Sequence, residues 1–353
     1  MTQRATPAPA VKKGKAQRLV EAAERFGVVR AMRPLHDRGR ASLTVLAYHR
    51  VMEAGAADAY PFDLELISTT PDEFEWQMSH IRREMNPVSL AQVVAHLDGG
   101  APLPPNAVAV TFDDGFNDTY RTVFPIVRRH QIPLAVFVTT GYVDSHEPFW
   151  FELAAYLMMR VPPGAIAIAE SQRALPYGAS PRERRRSLKH LLAMLKNLPN
   201  ERRAALIRTW TEKFAARIDP TVIELSRPLD WNQIAEMAAA GVEFGSHSVT
   251  HPNLAQLADE DLSWELSESK RVLEQRLSRE VSLLAYPIGT RRAYDARVMR
   301  SARDCGFRLA VSYVSGVNWQ GKVDRFEVRR HGIGLETSRE YFRALTSLPA
   351  WIS

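Results

Sequence analysis

Two adjacent carboxylates are the most prominent candidates for chemistry in this 353-residue chain. Asp113 and Asp114 follow an apolar run at residues 108–112 and precede Gly115, a pattern typical of a buried strand that opens into a loop. Successive strand residues point to opposite sides, so the two carboxylates should face different surroundings. The pair can therefore fill two different roles.

Two histidines spaced four apart stand at the end of a second predicted strand, residues 242–247. His247 is its last residue and His251 follows it. They would share a face of a helix, but Pro252 disfavours helical backbone at His251, so we place both in a loop. Two histidines and one carboxylate hold a divalent cation with one position left open for water, as in catalytic zinc sites. One of the paired acids can supply that carboxylate.

Such a set of residues could support hydrolysis. A bound cation lowers the pKa of water towards about 7 and polarises a carbonyl, and the second acid can act as the base. Parallel α/β barrels gather their active sites at the carboxyl ends of the strands, which is where both motifs are predicted to lie.

The elements that must position these residues alternate along the chain between strands and helices, which predicts a parallel α/β fold. Strands are predicted at residues 42–49, 108–112, 134–139, 242–247, 281–286, 307–313 and 326–328. Helices are predicted from residue 71, from residue 90, and at 117–130, 231–240, 259–277, 293–304 and 338–346. Residues 149–226 show helical patterns only and are predicted to form a helical insertion, either a lid or partner surface or a cap packed on the barrel.

The charge is concentrated at the beginning of the chain. Residues 1–40 hold ten Lys or Arg against three acids, a net charge of +7, whereas the remainder holds 36 bases and 37 acids. The single cysteine, Cys305, excludes an intramolecular disulfide, and no apolar run approaches the roughly 18 residues of a membrane span. The neutral body gives no reason to expect a nucleic-acid partner.

Residues 1–41 are therefore predicted to be a basic N-terminal extension, disordered over 1–14, with a short amphipathic helix at 17–33. Through residues 12–40 this extension could contact an anionic membrane face, or its helix could pack on the barrel. It lacks the apolar core of a secretory signal, so we expect a cytoplasmic location, peripheral to the inner membrane face.

Three ordered motifs carry a resemblance to a known family: Thr-Phe-Asp-Asp-Gly at 111–115, Gly-Ser-His-Ser-Val-Thr-His-Pro at 245–252 and Ala-Tyr-Pro-Ile-Gly at 285–289. The chain resembles the polysaccharide deacetylases, carbohydrate esterase family 4 with its NodB-like domain, from about residue 44 to about residue 334. The resemblance implies a distorted (β/α) barrel, here spanning 42–353. It also implies hydrolysis of the acetamide of N-acetylhexosamine units with a divalent metal, usually Zn²⁺, with Co²⁺ or Mn²⁺ as alternatives.

Carried over by motif, the resemblance makes Asp113 the general base and Asp114, His247 and His251 the metal ligands. The backbone N–H of Ile288 would help to hold the oxyanion.

Two positions depart from the family pattern. Ala285 stands where the family has an arginine that orients the base, and we expect Arg330, or its neighbour Arg329, to take that role. The late histidine that serves as general acid has no clear counterpart, although His331 is late in the chain. The run Leu-Ala-Tyr-His at 46–49 instead resembles the circularly permuted members related to poly-N-acetylglucosamine deacetylases, which favours His49.

Five further histidines are expected to face solvent: His80, His96, His130, His146 and His190.

Other functions remain open at this point. The same metal and base would suit a hydrolase of small amides, and a carbohydrate-binding module that lost its arginine would be catalytically silent. A two-histidine, one-carboxylate iron oxygenase would use the three ligands but leave Asp113 without a role.

Overall fold

The computed structural model describes residues 14–29, 31, 42–53, 55, 59–145, 147–168, 173–349 and 352. The disorder predicted for the first residues, the surface position of His146 and much of the membrane segment expected at 12–40 lie outside these ranges.

Thirteen strands are present in the described chain. They are β1 Ser42–Tyr48, β2 Arg50–Val51, β3 Ile67–Thr69, β4 Asn86–Pro87, β5 Ala107–Phe112, β6 Leu134–Val138, β7 Gly164–Ile168, β8 Arg173–Tyr177, β9 Glu243–Ser246, β10 Leu283–Ala285, β11 Leu309–Val311, β12 Asn318–Trp319 and β13 His331–Gly332.

The α-helices surround and interrupt these strands. They are α1 Lys15–Arg25, α2 Pro71–Glu84, α3 Leu90–Leu97, α4 Phe124–His130, α5 Thr140–Ser145, α6 Trp150–Arg160, α7 Pro181–Leu195, α8 Asn200–Lys213, α9 Pro220–Ile223, α10 Trp231–Ala239, α11 Asp259–Leu277, α12 Ala296–Asp304 and α13 Arg339–Ser347. A π-helical turn, Thr119–Val123, leads into α4, and short 3₁₀ turns lie at Leu64–Leu66, Ala215–Arg217, Glu224–Ser226 and Leu254–Gln256.

Nine strands form one mixed sheet in the order β11-β10-β9-β6-β5-β1-β12, with β13 also pairing with β1 and β4 with β5. All pairs in this sheet are parallel except β1 with β12. Every residue of β1 and β5 is buried, as expected for central strands covered on both faces. The predicted α/β fold, a distorted barrel of the NodB type, is confirmed.

Local sequence signals fix several helix starts. The Thr70 hydroxyl accepts from the Glu73 N–H ahead of Pro71 at the first turn of α2. Ser89 and Asp230 form capping boxes with Gln92 and Gln233, which satisfy backbone donors that a helix leaves free.

The predicted insertion at 149–226 is largely helical, but the prediction of helices alone is wrong. Strands β7 and β8 pair antiparallel with Gly164 opposite Tyr177 and Ile168 opposite Arg173. The alternation of small residues with Ile166 and Ile168 suits a strand, and the hairpin satisfies its own backbone within a separate two-stranded sheet.

The insertion shares an apolar core with Tyr60, Phe62 and Phe116, and it has a buried ionic link to the barrel. The fully buried Arg50, in β2, donates to Asp118 Oδ1 at 3.0 Å and to Glu152 Oε2, in α6, at 3.1 Å. Its guanidinium also lies over the Phe116 ring, 4.4 Å from the centroid. The insertion is therefore fixed to the strand that follows β1.

The predicted N-terminal helix begins at Lys15 and packs against α13. Val20 and Ala23 contact a small cluster formed by Val29, Ala344 and Leu348. Among the described residues, no helix has the length and apolar character needed to cross a bilayer.

Two local predictions are wrong. Residues 326–328 form no strand, because only Val328 pairs, in an isolated bridge with Val311. His80 is buried instead of facing solvent, since its ring stacks on Trp76 and contacts the Thr346 hydroxyl at 3.3 Å.

Candidate active site

Four loops meet where neighbouring parallel strands end. Strand β1 leads to His49, β5 to Asp113 and Asp114, β9 to His247 and β10 to Ile288. Because β10, β9, β6, β5 and β1 are consecutive in the sheet and run in one direction, these loops gather at one edge.

The loop after β5 turns sharply through two left-handed residues. Asp114 has φ of 69° and Gly115 has φ of 83°. A Cβ at Gly115 would lie 2.7 Å from Val138 Cγ1, so glycine is required for both conformation and space. The turn directs Asp113 and Asp114 to different partners.

The histidine loop is held by Glu265, which lies outside the motif, and by Ser248 within it. The Glu265 carboxylate, from α11, accepts hydrogen bonds from the Val249 and Thr250 N–H groups at 2.7 and 3.0 Å and from the Thr250 hydroxyl. The Ser248 hydroxyl accepts from the His251 N–H at 3.1 Å. These bonds stabilise left-handed backbone at Ser248, with φ of 66°, and at His251, with φ of 57°.

Asp114, His247 and His251 form a buried three-donor cluster. His247 Nε2 and His251 Nε2 lie 3.6 and 3.5 Å from Asp114 Oδ1, and all three donor atoms lie within 4.8 Å of one another. Two ligands of one tetrahedral Zn²⁺ at bond lengths of about 2.0–2.1 Å would lie about 3.3 Å apart. The spacing therefore suits a small divalent cation.

The protonation of this cluster also fits a cation. Asp114 Oδ1 is buried without a hydrogen-bond partner among the described residues. Burial, reinforced by Asp113, raises the pKa of Asp114 well above its usual range, and burial lowers the pKa of both His247 and His251. Because His247 Nδ1 lies 2.8 Å from the Ala285 carbonyl oxygen and donates to it, Nε2 is left as an acceptor for a metal.

Asp113 faces a different partner, the fully buried Arg330. Arg330 Nη1 and Nη2 donate to Asp113 Oδ1 and Oδ2 at 2.7 Å each, while Nε donates to the Ser312 carbonyl at 2.8 Å. Burial alone would raise the pKa of Asp113, but Arg330 and then His247 outweigh it and lower the pKa to about 2. The carboxylate is thus ionised and fixed in orientation.

Ala285 and Arg329 make no such contact. Ala285 ends β10 and offers its carbonyl to His247. The Arg329 backbone exchanges hydrogen bonds with the Asn318 side chain at the edge strand β12.

Ile288 adopts a left-handed backbone with φ of 65°, which is strained for a β-branched residue. The next residue, Gly289, has no room for a Cβ, because one would lie 2.6 Å from the Tyr313 nitrogen. The Ile288 N–H has no acceptor among the described residues, and Ile288 borders the same cavity as the carboxylates. This amide is thus available to an oxygen of a ligand.

The structure separates the two candidate acid histidines. His49 borders the cavity that contains Asp113, and the backbone N–H of His49 donates to the Ser68 hydroxyl at 2.9 Å. Burial lowers the pKa of His49 to about 4, although Asp113 opposes the shift. His331 lies in β13, outside the residues that border this cavity, and burial lowers its pKa to about 4 as well.

A cavity of about 250 Å³ connects these groups with the insertion. It is bordered by the residues His49, Asp63, Glu65, Leu66, Asp113, Asp114, Phe151, Leu192, Lys196, His247, His251, Ile288, Thr290 and Tyr313. Phe151, Leu192 and Lys196 come from the insertion, which therefore forms one wall of the site. The cavity shares six lining residues with a second one, of about 530 Å³, between α7 and the loop after β10.

Sequence reasoning did not identify Glu265 or Lys196. Glu265 lies within a long helix of mixed charge, and Lys196 follows a helix whose pattern marked only amphipathicity. The half-buried Lys196 makes no ion pair with a carboxylate in the described part of the chain. Nothing in the local spacing distinguishes either residue from an ordinary surface charge.

Comparison with known sequences places the chain beside proteins that act on polysaccharides. The family model described as Polysaccharide deacetylase matches residues 100–310, more than half of the chain. Poly-beta-1,6-N-acetyl-D-glucosamine N-deacetylase of Escherichia coli (strain K12) is 35% identical over 102 residues. This alignment covers 28% of the chain and 14% of that much longer relative. The putative polysaccharide deacetylase YxkH of Bacillus subtilis (strain 168) is 25% identical over 84 residues, 24% of the chain and 29% of that protein.

Solved structures of deacetylases share the fold of this chain. The Streptococcus pyogenes deacetylase PplD in complex with acetate superposes with a TM-score of 0.56 at 18% identity, covering 86% of this chain and 97% of that one. IcaB from Ammonifex degensii gives a TM-score of 0.53 at 18% identity, covering 87% and 96%. At these identities the similarity establishes the fold.

Proposed function

Since the chain belongs to the polysaccharide deacetylase family, we propose that it is a divalent-cation-dependent hydrolase that removes N-acetyl groups from N-acetylhexosamine units of a saccharide. One observation carries the proposal. The buried oxygen and two nitrogen donors of Asp114, His247 and His251 share a cavity with a carboxylate, Asp113, that is fixed by a bidentate arginine.

Asp114, His247 and His251 would hold the cation. When bound, the cation supplies positive charge that polarises the acetamide carbonyl and favours ionisation of water. The histidine loop must be rigid for this purpose, and Glu265 and Ser248 provide the hydrogen bonds that fix it.

Asp113 is the proposed general base. Arg330 keeps it ionised and aligned, so that it can accept a proton from the attacking water. As water adds to the amide carbon, the carbonyl oxygen gains negative charge. The Ile288 N–H, which has no other acceptor in the described chain, donates to that oxygen.

His49 is the proposed general acid. Its low pKa makes the neutral ring the resting form at pH 7 and makes the protonated ring a strong proton donor. As negative charge develops at the acetamide, the ring takes up a proton from solvent and passes it to the amine nitrogen while the C–N bond breaks, and the proton accepted by Asp113 is then released to solvent. The products are acetate and the free amine.

The substrate proposal rests on the relatives and on the cavity. Curated relatives act on poly-β-1,6-N-acetyl-D-glucosamine by name, so we propose β-linked N-acetylglucosamine oligomers as the first substrates to test. The second cavity, between α7 and the loop after β10, provides room for sugars beyond the reacting one. Lys196, half-buried at its edge, would donate hydrogen bonds to substrate oxygens.

A catalytically silent binding module is disfavoured by one contact. That reading depends on loss of the arginine that orients the base, and Arg330, directly before β13, provides a bidentate pair to Asp113.

Acetate release tests the proposal. The protein, freed of metal with a chelator, is assayed with free N-acetylglucosamine, with β-linked oligomers and with lipid-linked N-acetylhexosamines, before and after addition of Zn²⁺, Co²⁺ or Mn²⁺. We expect release from oligomers only after a cation is added. Faster hydrolysis of small non-sugar amides than of any saccharide would contradict the proposal in favour of an amidohydrolase.

A further inference from the structure

The N-terminal helix α1 presents an exposed face that the proposed chemistry does not use. Only five large apolar side chains of the described residues are exposed, and three of them, Leu19, Phe26 and Val28, lie in or just after α1. Leu19 is 74% exposed and Phe26 is 85% exposed. Such a concentration of apolar surface indicates a contact site.

The helix is docked by its opposite face. Val20 and Ala23 pack against the cluster around Ala344. The Glu21 carboxylate accepts from the Ser338 hydroxyl at 2.7 Å, and Gln17 Nε2 donates to the Glu336 carbonyl at 2.8 Å. These contacts fix which side of α1 faces outward.

The outward side combines apolar and basic groups. Lys15, Arg18, Leu19, Arg25 and Phe26 follow the spacing of three, four and seven that places residues on one side of a helix. All five are exposed, whereas Glu21 is buried against the protein. The outward side of α1 therefore has three basic and two large apolar side chains, of which Arg25 also pairs with Glu340 at 3.4 Å.

We propose that this face of α1 is a membrane-contact surface that docks onto a bilayer rich in anionic phospholipid. Leu19 and Phe26 would enter the boundary between head groups and acyl chains, while the basic side chains contact lipid phosphates. Residues 1–40 carry a net charge of +7 beside a neutral body. This charge favours binding to an anionic bilayer over binding to a surface with few acidic groups. The proposal rests on α1 and does not depend on the hydrolytic activity.

The position of α1 gives the contact a spatial relation to the site. Gly14 and Gln17 border a cavity of about 600 Å³ that also includes Glu65 and Tyr313, two residues of the candidate active-site cavity. Helix α1 therefore borders a cavity that shares two lining residues with the candidate active-site cavity.

Vesicle sedimentation tests the proposal with the full chain. Vesicles of phosphatidylglycerol and phosphatidylcholine in equal parts are compared with phosphatidylcholine alone. We expect binding to the anionic vesicles only, weakening as salt is raised, because screening reduces attraction between exposed charges. The double variant Leu19→Ser/Phe26→Ser should reduce the bound-to-free ratio at least about tenfold.

Two further variants complete the test. Leu225→Ser/Trp264→Ser removes the two large apolar side chains exposed elsewhere and should bind like the parent. Lys15→Gln/Arg18→Gln should weaken binding to anionic vesicles and reduce its salt dependence. Equal melting temperatures would show that the variants are folded.

Three results would overturn the proposal. They are no sedimentation of the parent with anionic vesicles, equal binding by the Leu19→Ser/Phe26→Ser variant, or a parent dimer that this variant converts to a monomer without any vesicle binding. The last result would assign the face to a contact between two copies of the chain.

Discussion

Arg330 donates to both carboxylate oxygens of Asp113 at 2.7 Å, joining two residues that are 217 positions apart in the chain. The pair lies at the carboxyl ends of β1 and β5, where β13 adds beside β1. A buried carboxylate would otherwise hold a proton, so this arginine determines whether Asp113 can act as a base.

Replacement of Arg330 by Met should change the pH dependence of turnover. Without the guanidinium, burial raises the pKa of Asp113, so the base is protonated over a higher pH range and kcat/KM at pH 7 falls at least about a hundredfold. Activity should recover in part as pH rises through the new pKa. The measurement is kcat/KM against pH, with Arg329→Met, which removes a neighbouring arginine without a contact to Asp113, as the matched control. An unchanged acidic limb in the Arg330 variant would remove Asp113 as the base.

Asp113→Asn and His247→Ala should separate catalysis from metal binding. The first should abolish acetate release while zinc content is retained, because Asp113 is paired with Arg330 and lies outside the three-donor cluster. The second should lose both, because it removes a ligand. Metal content is measured by mass spectrometry on protein dialysed against zinc, and the exposed His190→Ala variant is the control. Loss of zinc in Asp113→Asn would exchange the roles assigned to the two acids.

His49→Ala and His331→Ala should differ in turnover. His49 borders the cavity with Asp113, so its removal should lower kcat by about a hundredfold or more, whereas His331→Ala should have a much smaller effect. Single-turnover kinetics with an oligomer substrate measure the chemical step directly. The reverse order would move the general-acid role to β13.

Lys196→Met should weaken substrate binding without removing the chemistry. A hydrogen bond from a charged donor contributes about 1.5–3 kcal/mol, so KM should rise about tenfold or more with kcat little changed. Lys213→Met is the matched control from the same insertion, because Lys213 is exposed in α8 and borders neither cavity. A fall in kcat at constant KM would assign Lys196 to the reacting centre instead.

Arg50→Met should destabilise the protein. Its loss leaves Glu152 buried and Asp118 largely buried without their cation, which costs about 3–5 kcal/mol of unfolding free energy. Urea unfolding followed by tryptophan fluorescence measures the loss. Removing the exposed Lys189–Glu65 pair should change stability by less than about 1 kcal/mol. Equal effects would show that the buried network does not anchor the insertion.

The sequence predicted those parts of the site that follow directly from strand ends. Asp113, Asp114, His247 and His251 each stand one to five residues after a recognisable apolar strand, and parallel strands bring such ends together. Arg330 was one of two candidates, because a two-residue strand such as β13 leaves almost no periodicity to detect.

Other features depend on tertiary contacts that leave no local pattern. The burial of His80 comes from Trp76 and Thr346. Glu265 accepts hydrogen bonds from the histidine loop. It lies in a helix that already has three acids in its first turn, so one more acid gives no distinctive signal. The hairpin β7–β8 was missed because two five-residue strands are too short for their apolar pattern to be told from that of a helix.

The segment that identifies the family, residues 100–310, contains the three-donor cluster and Asp113 but excludes both His49 and Arg330. The proposed general acid and the arginine that orients Asp113 thus lie outside the shared segment, His49 directly after β1 and Arg330 directly before β13. Mutations outside the shared segment could therefore remove turnover without removing the residues proposed to bind the cation. A descendant could keep the whole shared segment, bind its metal and fold, yet lose catalysis through a single change at a position outside it.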